Sequence, residues 1–294
     1  MTTLEASEVG RVSADAIRDL AERAVAGTPV ADYAHRDPMP WSTIGDGGWD
    51  LVGVPESHDG GGASLRDLAE VAMVWGHTCV ALPLIETMWA KRWSAAARES
   101  DGPVTVSVAR VGARGSSGVA PFALGAGVSV ARSIGQAADV LELSPEAAED
   151  DIAPHLRAGI LPWTTALEPA AANELAILWA SEAAGAAAQL VDLSVAYAKE
   201  RQQFGKPIGS FQAIKHRLAD MHSMAQYAET AAVWASHEPE NAQRQTRYAL
   251  DTSIKVAESA IQVHGGMGFT WEMGLHYYMR TMLMRRRLVK GLWQ

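Results

Sequence analysis

The chain has 294 residues, 48% hydrophobic and 20% charged, with a formal net charge of −9. That length and apolar share allow a sizeable core and more than one structural unit, and an acidic chain without a long basic face argues against nucleic-acid binding. The one cysteine, Cys79, excludes an intrachain disulfide and a cysteine zinc site and fits a reducing cytoplasm.

The N-terminal "MTTLEASEVG" carries acidic residues where a signal peptide would carry a basic and then an apolar run. Residues 14–26, "ADAIRDLAERAVA", place Ile17, Leu20, Ala21 and Ala24 at helical spacing. A Pro/Gly-rich stretch follows from Pro29 to Gly53. Ser64 then reads as an N-cap with Asp67 at the capping-box position, ahead of an apolar face of Leu65, Leu68, Val71, Ala72 and Trp75. "MWAKRW" further on reads as core or contact surface. His77 and Cys79, two apart in an apolar run, read as a buried pair rather than a nucleophile.

After Asp101 the period changes. Val104, Val106 and Val108, then Val128 and Val130, alternate between glycine-rich turns and predict short strands over about 101–165. The longest uncharged run in this region, Gly115 to Ala131, is broken by glycine, serine and proline and cannot span a membrane. From Glu168 the chain is helical again. "ASEAAGAAAQL" is dominated by alanine and has no bulky aromatic residue, which suits either close helix packing or a wide pocket. A second helix carries Ile214, Leu218, Met221, Met224 and Ala225 on one stripe. A third stops at Gly265-Gly266, a C-terminal stop signal, and a last one begins near Glu272. Arg280, Arg285, Arg286, Arg287 and Lys290 crowd the C-terminus, either as a solvated helix end favoured by the dipole or as a site for an anion. The scattered histidines have no metal-ligand spacing such as HExxH. The expected division is a helical N-terminal domain (1–100), a reduced β domain (101–165) and a helical bundle (166–294).

Two segments carry chemistry in combination: "AKERQQFGKPIGSFQAIKHRLADM" (198–221) and "IQVHGGMGFTWEMGLHYYMRTML" (261–283). Together they resemble the C-terminal domain of the flavin-dependent acyl-CoA dehydrogenases, and "VGVPESHDGGGASLRDLAEVAMVWG" resembles that family's entry into its first helical domain. The resemblance covers about two thirds of the chain and is weak over the β segment. It implies a mainly α fold with a helical N-terminal domain, a middle β domain that is shortened here, and a C-terminal antiparallel four-helix bundle. It implies FAD as cofactor, an acyl-CoA substrate and an electron-transfer partner for the reduced flavin. The family's RxxFG arginine reaches across a subunit interface to the flavin pyrophosphate, and Arg201 matches it; a guanidinium fork suits phosphate oxygens. Gln203 lies in the same turn, and Phe204 matches the residue near the adenine side. Gln212 stands at the next helix start, where anions are favoured. Gln262, Gly265 and Gly266 match a QxxGGxG segment that lets backbone approach the adenosine diphosphate. Taken singly, each residue also has a structural explanation as a helix-end cation, a core plug or a helix stop.

The family's general base, a glutamate, occupies one of two positions. The commoner one falls on Val289, and no Asp or Glu follows Glu272. The other falls on Leu175, with Glu174 beside it, and one residue on a helix is a rotation of about 100°. Glu174 is therefore a catalytic candidate only with a shift of register, and otherwise a solvent-facing glutamate near a helix start. "LPWTTALEP" resembles a remnant of the family's flavin-contacting middle domain. A missing base beside retained flavin motifs resembles the base-lacking subunit of actinobacterial α2β2 steroid-degrading acyl-CoA dehydrogenases. The alternatives are a self-sufficient homo-oligomeric enzyme using Glu174 and a non-enzymatic helical scaffold.

Overall fold

Every long helix begins or ends on a local signal that can be read residue by residue. The computed structural model describes residues 4–26, 38–110, 117–135, 140–143, 148–150 and 152–293. The N-terminal residues 1–3, the first part of the Pro/Gly-rich stretch (29–37) and the glycine-rich turn at 111–116 lie outside the described residues. Helix α1 (Glu8–Val25) is capped by Ser7, and the short α2 (Ser42–Gly45) follows. Helix α3 (Leu65–Thr78) has the full capping box: Ser64 Oγ accepts the Asp67 amide and Asp67 accepts the Ser64 amide at 2.9 Å. The other Asp67 oxygen accepts the Ser7 amide at 2.7 Å, so one carboxylate fixes the starts of two helices. Burial would raise its pKa, but the bonds from Ser64 and Ser7 outweigh that and hold it below the ordinary carboxylate value. Helices α4 (Leu84–Trp93) and α5 (Ala95–Arg98) complete the N-terminal part. Met88 and Trp89 of "MWAKRW" are fully buried, so that segment belongs to the core.

The middle of the chain holds two small sheets. Strand β1 (Val104–Val106) pairs in parallel with β4 (Ser129–Ile134), which also pairs with β5 (Val140–Leu143) and β8 (Ala166–Leu167). Strands β2 (Val108–Ala109), β3 (Gly118–Ala120), β7 (Gly159–Leu161) and β6 (Ala148–Glu149) form the second, antiparallel sheet in that order. Val104 and Val106 are buried as their alternation predicts, but so are Thr105 and Ser107 between them. The strand lies between α4 and the second sheet, so it has no wet face.

Helix α6 (Pro169–Glu200) is the axis of the molecule. With α7 (Gln212–His237), α8 (Gln243–His264) and α9 (Leu275–Leu292) it makes the C-terminal bundle. α9 starts at Leu275 rather than near Glu272, because Gly274, with φ 65°, sets a left-handed start after a turn closed by the Gly274 amide on Trp271 O. The alanine run of α6 faces α3. Gly185 lies against the Met73 carbonyl and Gly76 against the Glu182 carbonyl, with no room for a Cβ at either. Of the two readings of "ASEAAGAAAQL", close packing is the one seen. One apolar core runs from Ala14 to Val289, with Trp75, Trp89 and Trp179 fully buried in it. Among the described residues, no helix is long and apolar enough to cross a membrane.

Candidate functional site

The C-terminus of α6 is built to present a turn. Arg201 caps the helix in extended conformation, its amide on Tyr197 O at 2.8 Å. The chain then forms a two-stranded hairpin, β9 (Gln202–Gln203) with β10 (Lys206–Pro207), around Phe204-Gly205. Both turn residues have positive φ, 55° and 78°, the requirement of the hairpin turn whose twist matches its strands. A left-handed Phe costs about 1–2 kcal/mol relative to its preferred conformation. Phe204 is nonetheless 91% exposed, and among the described residues its ring meets the edge of Phe211, with centroids 6.0 Å apart. The Lys206 ammonium lies 4.3 Å from the Phe211 ring centre.

The end of α8 faces this turn. Gly265 (φ 61°, ψ −138°) adopts a conformation that side chains disfavour, and a Cβ at Gly265 or Gly266 would meet nothing within 4 Å. Hairpin and helix end enclose an open cavity of about 570 Å³. It brings together Arg201, Gln203, Phe204, Gly265 and Gly266. Gln212 and Gln262 do not line it: Gln212 starts α7, and Gln262 accepts a hydrogen bond from Arg217 across the α7–α8 contact. The exposed Arg201 guanidinium has no carboxylate or other polar partner among the described residues, which leaves its donors for a ligand.

Two further lining residues, Tyr197 and His264, escaped sequence reasoning. Their rings stack with centroids 4.2 Å apart and planes 25° apart, and the Tyr197 hydroxyl donates to His264 O at 3.4 Å. The signal was present in part: Tyr197 stands four residues before Arg201 and so on the same helix face. Burial holds the His264 ring below the ordinary histidine pKa, against the opposing effect of the Ala260 carbonyl.

Glu174 sits elsewhere. Its Oε2 accepts from Arg92 Nε at 3.1 Å and from Trp93 Nε1 at 2.7 Å, while Arg92 also donates to the Gly53 and Ala63 carbonyls. It is a clamp between α6 and α4, only 13% exposed, rather than a solvent-facing side chain. On a straight helix it stands ~40 Å from Arg201, at 1.5 Å per residue, so the two cannot serve one small site within a single chain. Val289 is buried in the core.

The "LPWTTALEP" segment lines a second cavity of about 340 Å³, where Thr164 and Thr165 meet Asn173, Gln243 and Trp293. Thr165 Oγ1 is already engaged, accepting the Ser107 amide at 2.8 Å and donating to Ala131 O at 2.6 Å. Trp163 stacks under the Arg132 guanidinium at 3.8 Å.

The four C-terminal arginines each have a partner within the chain, while Lys290 is exposed beside Arg286 and Arg287 at a cavity of about 410 Å³. Arg287 pairs with Asp150 at 2.9 Å, Arg286 with Asp251 at 3.4 Å, and Arg280 donates to Ile152 O at 2.9 Å. Arg285, expected on a solvated helix end, is 1% exposed and bonded to Glu86 and Glu182, both at 2.6 Å. Cys79 is buried, and burial pushes its thiol up to about 12, which makes it unreactive.

Comparisons with known proteins bear on the family and the fold. The family description "Acyl-CoA dehydrogenase, C-terminal domain" matches residues 169–288, the segment that holds both sides of the 570 Å³ cavity. Acyl-CoA dehydrogenase IpdE2 of Mycobacterium tuberculosis is 34% identical over 241 residues, 77% of this chain and 74% of that protein. The fold is shared with the ChsE4-ChsE5 complex from Mycobacterium tuberculosis (TM-score 0.75, 18% identity, 99% of this chain and 96% of that one). It is also shared with a variant of the Tcur3481-Tcur3483 steroid ACAD (TM-score 0.73, 21% identity, 94% and 93%). With the motif-bearing turn, the glycine helix end and a relative matched over most of both lengths, the chain belongs to the acyl-CoA dehydrogenase family.

Proposed function

We propose that this chain is one subunit of an FAD-dependent acyl-CoA dehydrogenase that forms an α,β double bond in an acyl-CoA thioester, a steroid-derived one by analogy with the steroid ACAD that shares its fold. Its contribution is to complete a flavin site shared with a second subunit, and that partner supplies the base. The observation that carries this reading is Arg201, without a partner among the described residues, beside the open Gly265-Gly266 backbone, in a chain whose base position is the buried Val289.

The residues present fit FAD. A diphosphate needs fixed cationic donors, and Arg201 offers a fork of them; an aromatic ring system needs flat walls, and Phe204 and the Tyr197–His264 stack offer these. Bare backbone at Gly265 and Gly266 admits close approach. Bound FAD supplies the acceptor for the hydride that leaves the β-carbon, while a carboxylate takes the α-proton. In this chain Glu174 is held by Arg92 and Trp93, so its part is structural and the proton goes to a partner's carboxylate. Arg201 binds and orients, and the hairpin holds it at the cavity mouth. A complex of two chain types is also the assembly named for ChsE4-ChsE5.

Co-expression with a base-bearing acyl-CoA dehydrogenase chain tests the reading. The expected result is a stable complex with about one flavin per pair of chains, as paired non-identical subunits would hold it, and no yellow protein from this chain alone. Stoichiometric FAD and full turnover from this chain alone would overturn it. So would a complex whose flavin content ignores Arg201→Ala, the outcome a non-enzymatic scaffold predicts.

A further inference from the structure

We propose that the outer face of α9 carries a second binding site, for an aliphatic ligand that ends in an anionic group, a carboxylate or a phosphate. The site is a cavity of about 410 Å³ lined by Ile152, Leu283, Arg286, Arg287 and Lys290. It shares no lining residue with the Arg201 cavity, and the inference stands whether or not that cavity takes a flavin. Residues 283, 286, 287 and 290 follow one another at helical spacing and so form one stripe of α9. The positions between and beside them, Met282, Met284, Arg285, Leu288 and Val289, are buried. The stripe is therefore the face of the helix that the core leaves uncovered.

Three cations meet there against two carboxylates among the described residues. Asp150 accepts from both terminal nitrogens of Arg287, at 3.2 and 2.9 Å. Asp251 lies 3.4 Å from Arg286 with both side chains exposed, a contact for which water competes. Lys290 is exposed and has no ion pair or hydrogen bond among the described residues. Arg286 and Lys290 stand four residues apart on one helix, where like charges repel, and an anion between them relieves that. The C-terminal carbonyls of α9 oppose an anion, so its partners are these side chains and not the helix end. The apolar part of the lining is held in place. Asp150 also accepts the Ile152 amide at 3.2 Å, and Arg280 donates to the Ile152 carbonyl at 2.9 Å. These bonds keep Ile152 at the cavity although it is 37% exposed. With Leu283 it makes an aliphatic wall, and the lining has no aromatic ring, hydroxyl or amide side chain to orient a base or a sugar. Cations beside aliphatic surface suit a ligand with both an anionic head and an aliphatic chain. Lys290 supplies a mobile point charge and Arg286 a planar fork, and both suit carboxylate or phosphate oxygens.

Calorimetric titration of the full chain tests this, with octanoate, octyl phosphate, inorganic phosphate and octylammonium as probes. Octanoate and octyl phosphate should bind, and hexanoate should bind more weakly than octanoate by roughly threefold to tenfold, the effect of two CH₂ groups withdrawn from water. Lys290→Glu and Arg286→Glu should each weaken octanoate by roughly tenfold, since each replaces an attractive charge by a repulsive one. Ile152→Ser should weaken octanoate without changing the response to inorganic phosphate. Arg201→Ala should leave octanoate binding as it is. Circular dichroism checks that each variant is folded. Where a charge reversal unfolds the chain, Lys290→Gln takes its place, with an expected loss of about threefold. Binding of one anionic head and not the other supports the site and identifies its source. Inorganic phosphate that binds as tightly as octyl phosphate reduces the site to an anion site and overturns the aliphatic assignment. Octylammonium that binds as tightly as octanoate, octanoate binding untouched by Lys290→Glu or Lys290→Gln in a folded chain, or no octanoate binding at millimolar concentration overturns the proposal outright.

Discussion

Arg201 and Glu174 are both charged residues of one helix, and their surroundings give them opposite uses. Arg201 is exposed at a helix end and has no partner among the described residues; Glu174 is held in a clamp with Arg92 and Trp93. A general base must be free to take a proton within hydrogen-bond reach of its substrate. A carboxylate oxygen that already accepts a guanidinium and an indole N–H is poorly placed for that. Glu174→Gln keeps the shape and removes the charge, so it weakens the pairing with Arg92 and should cost ~1–3 kcal/mol of stability. Turnover of the assembled complex should stay within about twofold, because a rate change of tenfold needs 1.4 kcal/mol at the transition state. A thermal melt and a steady-state assay on the same preparation check this. Loss of turnover by several orders of magnitude, with little change in melting temperature, would make Glu174 the base and this chain self-sufficient.

The helices obey the same logic at the next scale. Their starts and stops were legible because they depend on neighbours: Ser64 with Asp67, Gly265 after His264, the Phe204-Gly205 turn after α6. The 570 Å³ cavity was legible in part, since Arg201, Phe204, Gly265 and Gly266 belong to short motifs, whereas His264 and Tyr197 meet across 67 positions of sequence. Gln212 and Gln262 lie beside the cavity rather than in it, a matter of side-chain direction that a motif does not carry. Arg285 was read as an exposed basic residue because its partners lie 103 and 199 positions away, beyond any local pattern. The α3–α6 contact shows how far a small residue matters once helices meet. Gly185 on α6 touches the Met73 carbonyl on α3, and backbone cannot swing aside as a side chain can. Gly185→Ala gains helix propensity of about 0.8–1.0 kcal/mol but forces the two helices apart. The overpacking term, about 1–3 kcal/mol and backbone-limited here, should win. Chemical denaturation should show a lower midpoint than wild type with an unchanged slope. A midpoint equal to or above wild type would mean that α3 and α6 approach less closely than described.

Across the whole molecule, α4, α6 and α9 are joined at one buried point. Arg285 donates through Nε and Nη2 to Glu182 and through Nη1 to Glu86, which also accepts from Trp179 Nε1 at 2.9 Å. All three charged side chains are essentially buried, and one cation faces two carboxylates. Burial pushes the Glu182 carboxyl up; Arg285 opposes this and Glu86 adds to it. The triad therefore ties the N-terminal helices to the bundle through a single guanidinium. Arg285→Met fills the space but strands two carboxylates in the core. Breaking a buried pair in this way costs about 3–5 kcal/mol, a fall of roughly 10 °C in melting temperature for a chain of this size. The loss should depend on pH with a definite sign. Without Arg285 nothing opposes the rise that burial gives the Glu182 pKa above its unfolded value, so the folded variant binds protons more tightly than its unfolded chain. Its deficit against wild type is then largest near pH 8 and shrinks as pH falls through the raised pKa and Glu182 neutralises. Replacing Arg285, Glu86 and Glu182 together by apolar residues of similar volume should recover most of the stability at every pH, because no buried charge remains. Melting curves of wild type, the single and the triple variant between pH 5 and 8 measure all of this. A single-variant deficit that is small at pH 8, or that fails to shrink toward pH 5, would mean that the triad is solvated and does not hold the molecule together.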